Sequence, residues 1–191
     1  MAIPQSIFEE MRAVCATAWR RGLLSGFNGN ISVRMDSACC VTRGGAAKGD
    51  LRPVDVAAVD IATGALLEGS TPSSELSMHL EIYRVREDAL AVAHTHPRHL
   101  LALELRVPQE KFLDLPLFEA DMLRKRLGFA PALPPGTREL ALAVARAAET
   151  REAVWMSRHG LTCRAADLRT ALALSEELDH LAAVQLLAEN R

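Results

Sequence analysis

His94 and His96 stand one residue apart at the end of a short, continuously apolar stretch, Ala89-Leu90-Ala91-Val92-Ala93. Side chains two positions apart on a strand share a face, so both imidazoles can reach one ion. Burying two imidazoles costs desolvation and gains little packing, which makes the pair unusual at the end of an apolar strand. Taken alone, the pair also reads as two half-exposed loop histidines. His159 changes that balance. It too follows a short apolar run, Ala153-Val154-Trp155-Met156-Ser157, and Gly160 behind it is expected to let the backbone turn sharply away. Neighbouring strands would bring three imidazole nitrogens together around an open position, the pattern of a catalytic rather than a structural zinc. The other histidines, His79, His99 and His180, fall within helical stretches and read as surface or core-edge residues.

Glu75 opens a helical stretch behind Ser73 and Ser74. One reading is a first-turn carboxylate that complements the helix dipole, worth about 0.3–1 kcal/mol. The other is a general acid/base beside a metal. The amides at that helix start, with the Ser73 and Ser74 hydroxyls, also make an anion site. Gly29-Asn30 and Gly44-Gly45 add turns whose amides a phosphate could approach closely. Cys15, Cys39, Cys40 and Cys163 show neither CxxC nor zinc-finger spacing, and adjacent Cys39 and Cys40 would point to opposite faces of a strand. They read as buried reduced thiols, so metal chemistry falls to the histidines.

The framework that must position these groups is of mixed class. Ile7, Met11, Val14, Cys15, Ala18 and Leu23 recur at helical spacing, predicting a helix over 5–23. It runs into Ser25-Gly26-Phe27-Asn28-Gly29-Asn30, rich in residues that tolerate positive φ. A hairpin over 31–42, a glycine-rich loop over 43–49 and a strand pair over 54–67 follow. Next come a helix over 75–86 with a serine N-cap, a central strand over 89–93 and a short helix from Pro97 to about Leu105. The stretch 107–135 reads mostly as connecting structure. A helix over 136–148, the strand over 153–157 and a long amphipathic helix over 167–189 complete the chain. No repeat, linker or low-complexity segment appears, so residues 1–191 read as one α/β domain.

Composition bounds the function. With 191 residues, 49% hydrophobic and 24% charged, the chain can build a full core and is not disordered. A net charge of −2 with no basic block predicts no nucleic-acid partner. Charged residues interrupt every apolar run before membrane-spanning length, so no membrane segment is expected. The N-terminal residues lack the charged and apolar regions of a signal peptide, and a soluble cytoplasmic protein is expected.

The succession Gly29-Asn30-Ile31-Ser32-Val33-Arg34, Val41-Thr42, Pro72-Ser73-Ser74-Glu75, His79, Ile82-Tyr83, His94-Thr95-His96-Pro97 and His159-Gly160 resembles the class II aldolase/adducin family, in the family's order, from about Ile7 to Leu187. The resemblance implies a three-layer α/β/α sandwich with a central, mainly antiparallel sheet. It implies a homotetramer of fourfold symmetry with active sites at subunit interfaces. His94, His96 and His159 match the family's metal ligands, for zinc or alternatively manganese or cobalt. Glu75 matches the catalytic acid/base, which can also approach the metal in the empty enzyme. Gly29, Asn30, Ser73 and Ser74 match positions that hold phosphate and substrate, with Gly44 and Gly45 alongside. The implied partner is a small-molecule sugar phosphate. The implied reaction is reversible aldol cleavage of a phosphorylated ketose, through a metal-stabilised enediolate, into a dihydroxyacetone-phosphate-like fragment and an aldehyde.

The chain also departs from the family's pattern. Gly44 falls where the aldolases usually carry Ser or Thr, and Arg43 where Pro is common. Of the tyrosines that handle the aldehyde half, one position is taken by Leu117, and the other belongs to a tail expected to be absent after Arg191. Tyr83, on the helix after Glu75, is the chain's single tyrosine. Relatives that dehydrate, such as methylthioribulose-phosphate dehydratases, or that decarboxylate, would use the same metal and are the alternatives. Adducin's head domain has the fold without metal chemistry, and the intact His94, His96, His159 and Glu75 set argues against such a module.

Overall fold

A computed structural model describes residues 3–189 of the chain. In order, the elements are α1 (Gln5–Arg20), β1 (Asn30–Met35), β2 (Ala38–Thr42), β3 (Val56–Asp60), β4 (Leu66–Gly69), α2 (Leu76–Val85) and β5 (Ala91–Thr95). There follow α3 (Arg98–Glu104), α4 (Phe118–Arg124), β6 (Leu127–Ala130), α5 (Arg138–Ala148), β7 (Ala153–Met156), β8 (Gly160–Ala165) and α6 (Leu168–Glu189). The strands form one mixed sheet in the order β4-β3-β2-β1-β5-β8-β7-β6. Its pairings are antiparallel except β6 with β7, which run parallel.

Strand alternation divides the apolar side chains between two cores. Ala91 and Ala93 of β5 pack with α1, α3 and α6, whereas Val92 between them packs with α2 and α5. Cys40 and Cys39 divide in the same way, as their adjacency requires. All four cysteines are free and buried. Burial pushes the Cys15 and Cys163 thiols up to about 12, so neither offers a thiolate at neutral pH.

Several elements differ from the sequence expectation. The central strand sits two residues later than its apolar run, because His94 and Thr95 are drawn into the sheet and fully buried. The stretch 107–135 contains α4 and the edge strand β6, whose four residues are too few to show a period. After His159 the chain enters β8, where Arg164 breaks the apolar pattern yet lies buried, its Nε donating to the carbonyls of Ala148 and Arg151. Among the described residues no helix is long and apolar enough to cross a membrane.

Candidate metal centre

β5 lies in the middle of the sheet between β1 and β8, which fixes what surrounds its histidines. In register, Asn30 faces His94 from β1, and Thr162 faces it from β8. His96 follows β5 directly, before Pro97 caps α3. His159 comes from the tight turn between β7 and β8, one residue ahead of Gly160. The sharp reversal there is made by Arg158, whose φ is 62°, and not by Gly160 as the sequence suggested. Gly160 is instead required by space. A Cβ there would lie 2.6 Å from the Thr95 carbonyl oxygen, 3.1 Å from His94 Cε1 and 3.3 Å from His96 Cδ2.

The three imidazoles converge, with ring centroids 4.8, 4.9 and 5.4 Å apart. His94 Nε2 lies 3.0 Å from His96 Nε2. The Glu75 carboxylate closes the cluster, Oε2 at 3.2 Å from His94 Nε2 and Oε1 at 3.2 Å from His159 Nε2. Nitrogens about 2.0–2.1 Å from one tetrahedral zinc ion stand about 3.4 Å from each other, so these separations suit a shared ion. His94 Nδ1–H donates to the Leu161 carbonyl at 3.1 Å, which fixes the tautomer and turns the Nε2 lone pair toward the cluster. That lone pair faces a second ring nitrogen and a carboxylate oxygen, an arrangement that calls for a cation between them. Glu75 Oε1 and His159 Nδ1 are buried without a hydrogen-bond partner. The donor set therefore fits a divalent ion.

Charge is arranged to the same end. Burial, with His94 and His159 nearby, pushes the His96 imidazole down to about 3, and burial likewise lowers His159. Both rings are neutral at physiological pH, the form that binds metal. Burial by itself would raise the Glu75 carboxyl, but the His94 and His159 rings and a hydrogen bond from Asn30 outweigh it and hold Glu75 below the usual carboxylate range.

Glu75 is fixed by a buried chain of hydrogen bonds. Asn30 Nδ2 donates to Glu75 Oε2 at 2.9 Å, while Asn30 Oδ1 lies 2.5 Å from His79 Nε2. His79 Nδ1 lies 2.7 Å from Ser32 Oγ, which lies 2.7 Å from the Tyr83 hydroxyl. One assignment satisfies every link: Tyr83 donates to Ser32, Ser32 to His79 Nδ1, His79 Nε2–H to Asn30, and Asn30 to the carboxylate. His79 is thus a buried relay residue, contrary to its expected place at the surface or core edge, and burial pushes its imidazole down to about 3. The N-cap of α2 is Glu75 itself and not the serine expected before it, because the helix begins one residue later, at Leu76; Ser73 Oγ accepts from the Glu75 amide at 3.2 Å and holds the residue there.

The cluster opens into a cleft of about 280 Å³ that also has Gly29, Asn30, Gly44, Gly45, Ser73 and Ser74 in its walls. The structure therefore gathers every candidate site residue into one place. At Gly29, φ is 72°, and a Cβ would meet the His94 carbonyl oxygen at 2.7 Å and a Leu24 methyl at 2.3 Å. Gly45 needs its positive φ of 68° but has open space around it, as a loop that admits a ligand would.

The sequence pattern described as the Class II Aldolase and Adducin N-terminal domain matches residues 9–186. The chain belongs to that family. Among its relatives, the L-fuculose phosphate aldolase of Methanococcus vannielii is 33% identical over 174 residues, covering 91% of this chain and 92% of that one. The solved L-fuculose-1-phosphate aldolase of Thermus thermophilus superposes with a TM-score of 0.81 at 27% identity, covering 97% of this chain and 95% of that one. YgbL of Klebsiella pneumoniae, for which aldolase, epimerase and decarboxylase are given as alternatives, superposes with a TM-score of 0.86 at 27% identity over 98% and 91% of the two chains.

Two further residues of this class II aldolase/adducin chain bear on the site without having been singled out from sequence. Glu104, at the end of α3, accepts from Ser157 Oγ at 2.6 Å and from the Arg158 amide at 2.9–3.0 Å, so it clamps the turn that presents His159. Lys48 lies buried in the cleft wall. Nothing in local spacing signals Glu104, whose partners are about fifty residues away. Lys48 carried a weak signal, a lone lysine just after the Gly44-Gly45 turn.

Proposed function

We propose that this chain is a divalent-metal-dependent aldolase-type lyase that cleaves a phosphorylated ketose into a dihydroxyacetone-phosphate-like fragment and an aldehyde. The supporting observation is the convergence of three imidazole nitrogens and the Glu75 carboxylate at one point beside a cleft whose walls include the Gly29-Asn30 turn, the Gly44-Gly45 turn, Ser73 and Ser74. His94, His96 and His159 would hold zinc, or manganese or cobalt, which suit the same donors. Bound there, the ion supplies Lewis-acid charge to a carbonyl oxygen. Glu75, ionised and held by Asn30, takes and returns the proton at the carbon that becomes nucleophilic. Gly29, Asn30, Gly44, Gly45, Ser73 and Ser74 hold the phosphate end, so that binding far from the reacting carbon orients it. In this reading the two cores form the outer parts of a three-layer α/β/α domain that repeats as a homotetramer in the cytoplasm.

A second reading keeps the metal and base but ends in dehydration or decarboxylation. It is favoured by one observation: Tyr83, the one tyrosine among the described residues, is fully buried on Ser32 and is not among the residues that line the cleft. Product identity separates the two. Incubating the metal-loaded protein with L-fuculose 1-phosphate and other phosphorylated ketoses is expected to give dihydroxyacetone phosphate and an aldehyde. Loss of water or of carbon dioxide would replace the aldolase reading with the second.

Glu104 supplies a test of how His159 is held. Glu104→Ala frees the turn and is expected to weaken the divalent ion by about 10–100-fold, with Glu104→Gln intermediate because it keeps one acceptor. Competition against a metal-sensitive chelator reads this directly, and an unchanged affinity in the alanine variant would contradict it.

A further inference from the structure

Lys48 is one of three lysines in the chain, and the other two, Lys111 and Lys125, are exposed. Lys48 is 2% exposed and sits at the head of a single helical turn, Lys48–Asp50, just after the Gly44-Gly45 loop. An ammonium has three donors. Among the described residues, the one acceptor recorded for Nζ is the Phe27 carbonyl oxygen, at 3.0 Å. Among the described residues no carboxylate pairs with it. Asp55, a charged neighbour, is occupied by Arg43 and Arg52. Glu75 is occupied by Asn30 and the histidines.

A buried, strongly hydrated point charge with one neutral partner is costly. Desolvation accordingly lowers the Lys48 ammonium from its ordinary range. Lys48 lines the same cleft as Gly44, Gly45, Ser73 and Ser74. These neighbours offer amides and hydroxyls to an anion but no charge to match one.

We propose that Lys48 is the charged element of the anion end of this cleft, its ammonium pairing with the phosphate monoester of the substrate while the Gly44-Gly45 and Ser73-Ser74 groups take the remaining oxygens. The proposal rests on the sugar-phosphate reading above and sharpens it, because it makes a dianionic end the feature by which the site selects its substrate. A lysine suits the place: a compact point charge seats on a tetrahedral phosphate without the planar approach that a guanidinium needs. The competing role is structural, with Lys48 pinning the Phe27 carbonyl and thereby the turn that leads to Gly29 and Asn30.

Two substitutions separate these roles. Lys48→Gln keeps an N–H donor for the Phe27 carbonyl and loses the charge, whereas Lys48→Met loses both. Metal-loaded full-length proteins are titrated with inorganic phosphate by calorimetry, with glycerol as the uncharged control. Wild type is expected to bind phosphate and not glycerol. Both variants are expected to bind phosphate at least tenfold more weakly while keeping the wild-type ion content. A glutamine variant that binds phosphate as wild type does, or a wild type without saturable phosphate binding, would overturn the proposal. Should both variants fail to fold, the wild type decides: one of its three lysine Nζ resonances, broadened least by exchange with water, is expected to shift on adding phosphate, and three unmoved resonances would refute the assignment. Metal content and ketose cleavage are measured separately, so failure of the aldolase reading shows as lost ion or lost cleavage while the phosphate titration remains readable.

Discussion

Glu75→Gln is expected to retain the fold and most of the bound ion while lowering turnover by roughly 10²–10⁴-fold. Glutamine is isosteric and keeps an oxygen that can accept from Asn30 Nδ2, so the relay from Tyr83 to this position survives. What disappears is the oxygen pair that can take and return a proton. The alternative role, a carboxylate favouring the start of α2, predicts something quite different: a loss of about 0.3–1 kcal/mol in stability and nearly unchanged turnover. The geometry already weighs against it. Glu75 occupies the N-cap position of α2 without a side-chain capping bond, and its carboxylate points at His94 and His159 instead. Initial rates with saturating ketose phosphate, paired with denaturation midpoints, separate the outcomes. Wild-type turnover in a folded Glu75→Gln protein would remove Glu75 from the chemistry.

His94→Ala is expected to reduce the bound ion from about one per chain to well below one, and activity with it. His94 is the centre of the cluster, fully buried and oriented by the Leu161 carbonyl, and it lies beside both other rings and Glu75. The loss should also appear in stability. An ion present at a hundredfold over its dissociation constant adds about 2.7 kcal/mol to the folded state, so chelation should lower the melting midpoint of wild type and leave that of the variant unmoved. Elemental analysis of protein purified without chelator measures the first effect and thermal scans the second. Full ion content in the variant would show that the ion lies elsewhere.

The sequence made some parts of this arrangement legible and hid others for identifiable reasons. His94-Thr95-His96 could be read because a strand places alternate side chains on one face, and His159 because it too ended an apolar run. Cys39 and Cys40 could be divided between two cores on the same principle. The second half of the sheet was obscure. β6 has four residues, and β8 begins at a glycine needed for space beside His94 and carries a buried arginine. Relations between distant residues were hidden altogether. His79 on α2 resembles any helical histidine until β1 brings Asn30 and Ser32 against it from 49 and 47 residues away. Glu104 and Lys48 likewise acquire meaning when the fold sets them against Arg158 and the cleft.

Proton exchange on dihydroxyacetone phosphate in deuterated buffer tests the central claim most directly, because it reads the metal site and the base together and needs no knowledge of the natural aldehyde. The metal-loaded wild-type protein is expected to replace one hydroxymethyl proton by deuterium, seen by proton NMR, and to stop doing so when the ion is chelated or Glu75 is changed to Gln. Exchange that continues undiminished after chelation, or that never occurs in the metal-loaded protein, would contradict an enzyme built on His94, His96, His159 and Glu75.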